Sequence, residues 1–267
     1  MTMVVNEKLA RLQKNISEYQ SVVVAFSGGV DSSLLLKVAV DTLGNKVLAV
    51  TLRSVINPPG EMDEALHLVG TIGVKHVIID INPLQDEEFV ANSPLRCYYC
   101  KQKIMGLVLA LAKGQGYQHV LDGVNADDTG DYRPGMRAAR ELGVKNPLLE
   151  AGLNKAEIRE LSRRMDLPTA EKPSAACLAS RFPYGTRITA EALQRVAAAE
   201  VFLRSKGYTQ VRVRNHGNLA RLEVPGKEIP GLLLDAAGIA AKLKELGFIY
   251  VTVDLQGYRT GSMNETL

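Results

Sequence analysis

The sequence predicts an α/β protein: a doubly wound parallel sheet with a second, smaller α+β domain after it in the chain. Three observations carry this. Between Val22 and Asp122, short β-branched apolar runs alternate with stretches of helical periodicity, the order that builds parallel sheets. From Glu171 to Thr189 the periodicity is lost in EKPSAACLASRFPYGTRIT, a loop-like stretch with two prolines and a glycine. Beyond it, two strand-like runs are separated only by His216-Gly217-Asn218, a connection so short that the strands must be antiparallel. The first domain is therefore read as 1–180 and the second as 181–267.

In order, Val22 onward (VVVAF) is a buried strand that ends in a glycine pair and leads into a helical pattern, Leu34 to Leu43. Lys46 to Leu52 is a second strand, closed by the loop Asn57-Pro58-Pro59-Gly60, and Glu61 to Gly73 a helix with Met62, Ala65, Leu66 and Val69 on its apolar face. Lys75 to Ile81 is a third strand, Tyr98 to Lys113 a helix, and His119 to Asp122 a fourth strand. Asn154 to Met165 is a helix opened by a capping box between Asn154 and Glu157. The second domain runs helix (Ala190 to Ser205), strand (Gln210 to Arg214), strand (Ala220 to Val224), helix (Ala236 to Leu246) and strand (Phe248 to Leu255). The stretch from Gly257 has no periodicity and is read as mobile until a partner or ligand orders it.

With 267 residues, 46% of them apolar, the chain can bury a core in each domain. A net charge of +3 with interspersed signs does not make the basic stripe that nucleic acid requires, so a nucleic-acid partner is not expected. Leu9, Leu12 and Ile16 lie at helical spacing among charges, so the first residues are no signal peptide, and no stretch approaches the ~20 apolar residues of a membrane span. A cytoplasmic protein is expected. The odd count of three cysteines argues against a disulfide framework and for metal or redox chemistry.

The chemistry starts at SGGVDSS, residues 27–33. Gly28 and Gly29 let backbone approach a ligand, Ser27, Ser32 and Ser33 add hydroxyls, and the free N–H groups of the helix start favour an anion, phosphate above all. In a doubly wound sheet ligands sit beyond the carboxyl ends of the strands, so Ser27, Arg53, Asp80 and Asp122 should face one crevice. Asp122, Gly123, Asn125 and Asp127 follow the fourth strand, and acids beside a polyphosphate hold Mg²⁺. Asp31 and Asp127 are the candidates, while Asp31 also suits the helix N-terminus and Asp127 and Asp128 also suit a turn cap. Arg133 and Arg137 suit either phosphate or a solvated face.

Cys97 and Cys100 form a C-x-x-C at a helix start, fit for one metal ion or a redox disulfide. Cys177 lies far off in the proline-flanked loop. Zinc wants four protein ligands, and His76, His119 and His216 show no matching spacing. Three thiolates suit a [4Fe–4S] cluster with one open iron; the alternative is a passive pair with Cys177 as a lone nucleophile. Ser180 and Arg181 follow Cys177, and Arg212 and Arg214 alternate on one strand, making either an anion clamp or a solvent-facing charge ladder with Arg221 and Glu223. Glu200, in mid-helix, is read as a surface residue.

SGGVDSS resembles the SGGxDS signature of the PP-loop ATP pyrophosphatases, which cleave ATP between the α and β phosphates and adenylate a substrate oxygen. With DGVNADD, DYRPG, KPSAACLASRFPYGTRIT, the VRVR hairpin and GYRTGSMNE, most of the chain resembles the LarE sulfur-insertase branch. This resemblance implies MgATP-dependent adenylation of a carboxylate of pyridinium-3,5-biscarboxylic acid mononucleotide. Exchange of the activated oxygen for sulfur follows, on the way to the nickel-pincer nucleotide cofactor. It implies Ser27, Gly28, Gly29, Asp31, Ser32, Ser33, Arg53, Asp122, Gly123, Asn125 and Asp127 at ATP, and Ser180, Arg181, Arg212 and Arg214 at the mononucleotide. Asp31 and Cys177 are its catalytic candidates. In the better known form of the family the residue matching Cys177 gives up its own sulfur and ends as dehydroalanine. Cys97 and Cys100, which that form lacks, resemble the three-cysteine members whose [4Fe–4S] cluster carries an extra sulfide. The family also implies a homo-oligomer, a trimer or hexamer, and a sulfide source. The rival functions are an amidotransferase, a cluster-dependent tRNA thiolase and a non-enzymatic ATP-binding scaffold of metallocofactor assembly.

Overall fold

The computed structural model describes residues 2–130 and 133–265, so Asp131 and Tyr132 of the DYRPG stretch lie outside the described residues. The chain packs as two compact units. The first comprises the residues up to Ser54, Gly60–Ile81 and Cys97–Ser174; the second comprises Val55–Pro59, Asn82–Arg96 and the residues from Ala175.

The elements in chain order are α1 (Thr2–Ser17), β1 (Val22–Ala25), α2 (Val30–Leu43), β2 (Val47–Arg53), α3 (Glu61–Ile72), β3 (Lys75–Asp80), α4 (Glu87–Val90), α5 (Arg96–Gly114), β4 (His119–Leu121), α6 (Pro134–Glu141), α7 (Pro147–Glu150), α8 (Lys155–Arg164), α9 (Ala190–Ser205), β5 (Arg212–His216), β6 (Leu219–Glu223), α10 (Ile229–Leu234), α11 (Ala236–Glu245) and β7 (Tyr250–Val253).

In the first unit β1 to β4 form a parallel sheet in the order β3-β2-β1-β4. Val22, Val23 and Val24 of β1 are wholly buried, as a central strand covered on both faces requires. One face packs on Leu34, Leu35, Leu36 and Val38 of α2 with Leu12 and Ile16 of α1; the other packs on Met105 and Val108 of α5. Truncating one of these leucines to alanine costs about 2–5 kcal/mol. The doubly wound architecture expected from the alternation is the one observed, and α8 opens with the Asn154–Glu157 capping box. Helix α6 adds an element the sequence reading did not assign; Pro134 stands in its first turn, where a missing N–H costs nothing.

In the second unit β5, β6 and β7 form a sheet in that order, antiparallel between β5 and β6 and parallel between β6 and β7. Strand β5 starts at Arg212, two residues later than its apolar pattern suggests, and the connection is only Gly217-Asn218 with Gly217 at φ +69°. Within residues 257–265, read as mobile from their lack of periodicity, Ser262 is buried, accepts from Arg214 Nη2 at 3.1 Å and donates to Glu223 Oε1 at 3.1 Å. A hydroxyl that satisfies two buried ions holds the segment where no apolar periodicity does.

The glycine turn joins β1 to α2 in a space without room for a side chain. Gly28 has φ +72°, and a Cβ on it would sit 2.9 Å from the Ala65 methyl of α3. Gly28→Ala is therefore expected to lower the unfolding free energy by about 1–3 kcal/mol from backbone strain alone, with the clash adding to it. Denaturant unfolding checks this, and a wild-type midpoint would contradict the packing described.

Candidate active site

The first unit gathers the glycine turn and the segment after β4. Gly123 lies so close to α2 that a Cβ there would be 3.1 Å from the Ser32 nitrogen. The Gly29 carbonyl accepts from Ser33 N–H (2.9 Å), Ser33 Oγ (2.8 Å) and Ser32 Oγ (3.1 Å), and Ser27 Oγ lies 3.1 Å from Ser32 Oγ. These bonds tie the first turn of α2 to the glycine turn, and the first N–H groups of α2, without partners inside the helix, are of the kind that favour an anion.

Asp31 receives Asn125 Nδ2 at 3.2 Å and Lys155 Nζ at 2.5 Å. Asp127 Oδ2 accepts the Lys155 backbone N–H at 2.9 Å, and Asn125 Oδ1 accepts the Asp127 N–H at 2.9 Å. Asp31, Asn125 and Asp127 thus share one network of oxygen donors of the kind Mg²⁺ takes alongside phosphates. Asp122 Oδ2 lies 2.6 Å from Lys101 Nζ, and its Oδ1 accepts the Gly123 N–H at 3.0 Å. Asp128 caps the turn through the Asn125 N–H at 3.0 Å and pairs with Arg133 at 2.6 Å. Arg53 is committed elsewhere: its Nε and Nη2 donate to Asp80 at 2.6 and 2.8 Å on exposed strand ends, and this pairing raises the Arg53 pKa and lowers that of Asp80.

Lys101, Lys155 and Lys172 were not singled out from the sequence. For Lys155 a signal existed, since a lysine in the first turn of a helix opposes the macrodipole and asks for a local anion. Lys172 donates to the Gly28 carbonyl at 3.1 Å and pairs with Glu61 and Glu64 at 2.7 and 2.8 Å, links that span a sequence distance no local pattern reports.

Cys97 and Cys100 stand one turn apart at the start of α5, both half-buried. Helix α6 braces this turn: Gly135 lies so close that a Cβ would be 3.2 Å from the Cys97 carbonyl oxygen. Tyr98 donates to Glu141 at 2.6 Å while the Arg137 guanidinium lies 4.4 Å from the Tyr98 ring centre, which places Arg137 on the C-x-x-C turn. Two thiols so spaced have the donor chemistry of cluster ligands. Cys177 is a free thiol of the second unit, half-buried before the short helical turn Leu178–Arg181. Among the described residues no group of three or more histidine, cysteine or acidic side chains is arranged to hold a metal ion.

In the second unit Arg181, Arg212 and Arg214 are buried, and Arg221 is half-buried against Glu223, which excludes the solvent-facing ladder. Arg181 is 0% exposed; its Nε and Nη2 donate to Glu200 at 2.8 and 2.9 Å, and its Nη1 to the Ala176 and Cys177 carbonyls at 2.8 and 3.2 Å. Its guanidinium therefore fixes the backbone that carries Cys177. Arg214 donates to the Ser180 carbonyl at 3.0 Å and to Glu223 at 2.6 Å. Arg212 is also buried, its guanidinium 5.3 Å from the Tyr258 ring centre, and burial together with the charges of Arg181 and Arg214 pushes its pKa down to about 10. Glu200 corrects the surface reading: it is 0% exposed, because it also accepts the Val213 N–H at 3.1 Å and Arg204 at 3.0 Å, which draws this stretch of α9 against β5.

The NAD synthase family model matches residues 4–93. An uncharacterized protein of Synechocystis sp. is 43% identical over 97% of this chain and 98% of its own length. The pyridinium-3,5-bisthiocarboxylic acid mononucleotide synthase of Lactiplantibacillus plantarum is 39% identical over 97% of this chain and 95% of its own length. The chain belongs to the LarE family. As a LarE-family member it is an ATP-dependent sulfur-transferring enzyme of the PP-loop type. The tRNA-specific 2-thiouridylase MnmA of Rhizobium etli is more distant, 28% identical over 64% of this chain and 53% of its own length. Among the described residues no helix is long and apolar enough to cross a membrane.

Burial acts to raise the Glu200 pKa, but the Arg181 bonds outweigh it and hold the carboxyl below its ordinary value. A depressed pKa gives stability that is complete above the ordinary carboxylate range and is lost as pH falls through the folded-state value. Glu200→Ala, which strands Arg181 as a buried unpaired charge, should cost about 3–5 kcal/mol. It should also flatten the acid limb of a stability–pH curve measured by urea unfolding; an unchanged curve would show that the pair is not the group titrating.

Proposed function

We propose that this protein inserts sulfur into pyridinium-3,5-biscarboxylic acid mononucleotide at the expense of ATP. The observation that carries the reading is the 39% identity to the named synthase across 97% of the chain, glycine turn and buried-arginine unit included. The glycine turn, Ser27, Ser32 and Ser33, with Asp122, Gly123 and Asn125, binds the nucleotide, and Asp31 and Asp127 hold Mg²⁺. Arg53, at the end of β2, is the outlying member of the ATP set, reaching it only by leaving Asp80. The substrate carboxylate attacks the α phosphate, the bond to the β-phosphate side breaks, and pyrophosphate leaves. Hydrosulfide then adds to the acyl carbon of the mixed anhydride, AMP leaves, and a proton is released with the thiocarboxylate.

Ser180, Arg212 and Arg214 take the mononucleotide's phosphate, while Arg181, its guanidinium spent on Glu200 and the loop carbonyls, holds the backbone they stand on. Arg212 carries the argument for them: it is buried beside Arg181 and Arg214, and a guanidinium whose pKa is lowered first by burial and then by those charges gains when an anion arrives. Cys97, Cys100 and Cys177 would hold a [4Fe–4S] cluster, whose chemistry when bound is to carry sulfide on its open iron. The protein works in the cytoplasm as a homo-oligomer, a trimer or hexamer, with sulfide supplied from outside the chain.

A second reading is favoured by one observation: Cys177 is a half-buried thiol whose own carbonyl and that of Ala176 are held by the buried Arg181. In it Cys177 supplies its own sulfur and becomes dehydroalanine. The test is an anaerobic incubation with MgATP, the biscarboxylic mononucleotide and sulfide, read by mass spectrometry and pyrophosphate release. A product mass gain matching oxygen-to-sulfur exchange is expected, with about four irons per chain in wild type and far fewer in Cys97→Ala. No pyrophosphate with this acceptor sinks the function; a chain that loses the mass of H₂S at Cys177 replaces the cluster reading with the sacrificial one.

A further inference from the structure

Lys172 has three N–H donors and three acceptors: Gly28 O at 3.1 Å, Glu61 Oε2 at 2.7 Å and Glu64 Oε2 at 2.8 Å. Its side chain is 11% exposed. Burial acts to lower its pKa, but the two glutamates outweigh it and keep it above the ordinary lysine value. An ammonium so saturated is not a spare cation waiting for phosphate. What it touches is the middle of the glycine turn.

The Gly28 carbonyl and the Gly29 N–H belong to one planar trans peptide, so they point in opposite directions. We propose that Lys172 is a positioning residue for ATP: by holding the Gly28 carbonyl with a charged donor, it aims the Gly29 N–H at the phosphate. This rests on the reading of the glycine turn as the phosphate cradle. The Gly29 carbonyl is anchored by the serines that follow it, whereas the Gly28–Gly29 peptide has no comparable local anchor. Its N–H reaches only Ser27 Oγ, at 3.3 Å. Two glycines flank that peptide, so their backbones resist its rotation little. The restraint comes instead from a lysine 144 positions away in sequence. The charge-assisted bond also polarises the peptide and strengthens its N–H as a donor.

Glu61 and Glu64 are part of the device. They lie in the first turn of α3, the helix whose Ala65 closes on Gly28, so the ammonium is held at a fixed height over the turn. Lys172 itself is fixed from behind, its carbonyl accepting Arg159 Nη2 at 2.8 Å.

The test is titration calorimetry of MgATP into the full chain, with the Gly29 amide followed by ¹⁵N–¹H NMR. Lys172→Met should weaken MgATP by about tenfold or more, the worth of one hydrogen bond to a charged group. It should leave the affinity for the biscarboxylic mononucleotide unchanged, and Lys172→Arg, which keeps charge and donors, should recover most of the loss. If the methionine variant does not fold, Lys172→Gln replaces it, with a loss between those of wild type and a chain lacking the bond. Wild-type MgATP affinity in the neutral variant, or a Gly29 resonance that responds to MgATP alike in both, overturns the role of Lys172 and leaves the cradle standing. A wild-type Gly29 resonance that ignores MgATP overturns the cradle itself.

Discussion

The close approach of α3 to the end of β1 governs the first unit. Ala65 leaves no room for a Cβ on Gly28, and the positive φ there turns the chain abruptly from a buried strand into α2. Because β1 is central, with β2 on one side and β4 on the other, that turn opens where the segment after β4 also emerges. Gly123 then lies against the first turn of α2, and its neighbours Asp122, Asn125 and Asp127 share the polar network that Asp31 joins. The first turn of α2 and a set of carboxylates are thereby juxtaposed by strand order and these two close approaches.

Charge is handled differently in the two units. In the first, lysines neutralise acids at the edge of the site: Lys155 on Asp31, Lys101 on Asp122, Lys172 on Glu61 and Glu64. The Lys155 and Lys101 pairs are partly solvated and so cheap to rearrange, whereas Lys172, 11% exposed, is held in place by its two glutamates. In the second, Arg181 with Glu200 and Arg214 with Glu223 are buried, and such pairs specify geometry more than they add stability. What they specify is the backbone around Cys177: the Ala176, Cys177 and Ser180 carbonyls all accept from buried guanidinium groups.

Features written in local pattern were legible in the sequence. The alternation that gives the parallel sheet, the glycine turn, the Asn154–Glu157 capping box and the limits of α9 all depend on residues a few positions apart. Features that depend on distant partners were not. Glu200 looks like any helix-surface glutamate until Arg181 and the Val213 N–H are seen around it. Ser262 sits in a stretch without periodicity and is ordered by two buried ions, and Lys172 reaches a carbonyl 144 residues away. Arg53 shows the converse, since its place at the end of β2 pointed to the ligand crevice while the β2–β3 register set Asp80 directly beside it.

The central claim is that the glycine turn activates a substrate carboxylate by making it an acyl adenylate. It is tested most directly by labelling both carboxylates of the pyridinium biscarboxylic mononucleotide with ¹⁸O and recording the ³¹P spectrum of the nucleotide product after turnover with MgATP and sulfide. The account predicts AMP whose phosphorus carries ¹⁸O from the substrate, together with unlabelled pyrophosphate. AMP without the label, or ADP and inorganic phosphate as the products, would contradict it.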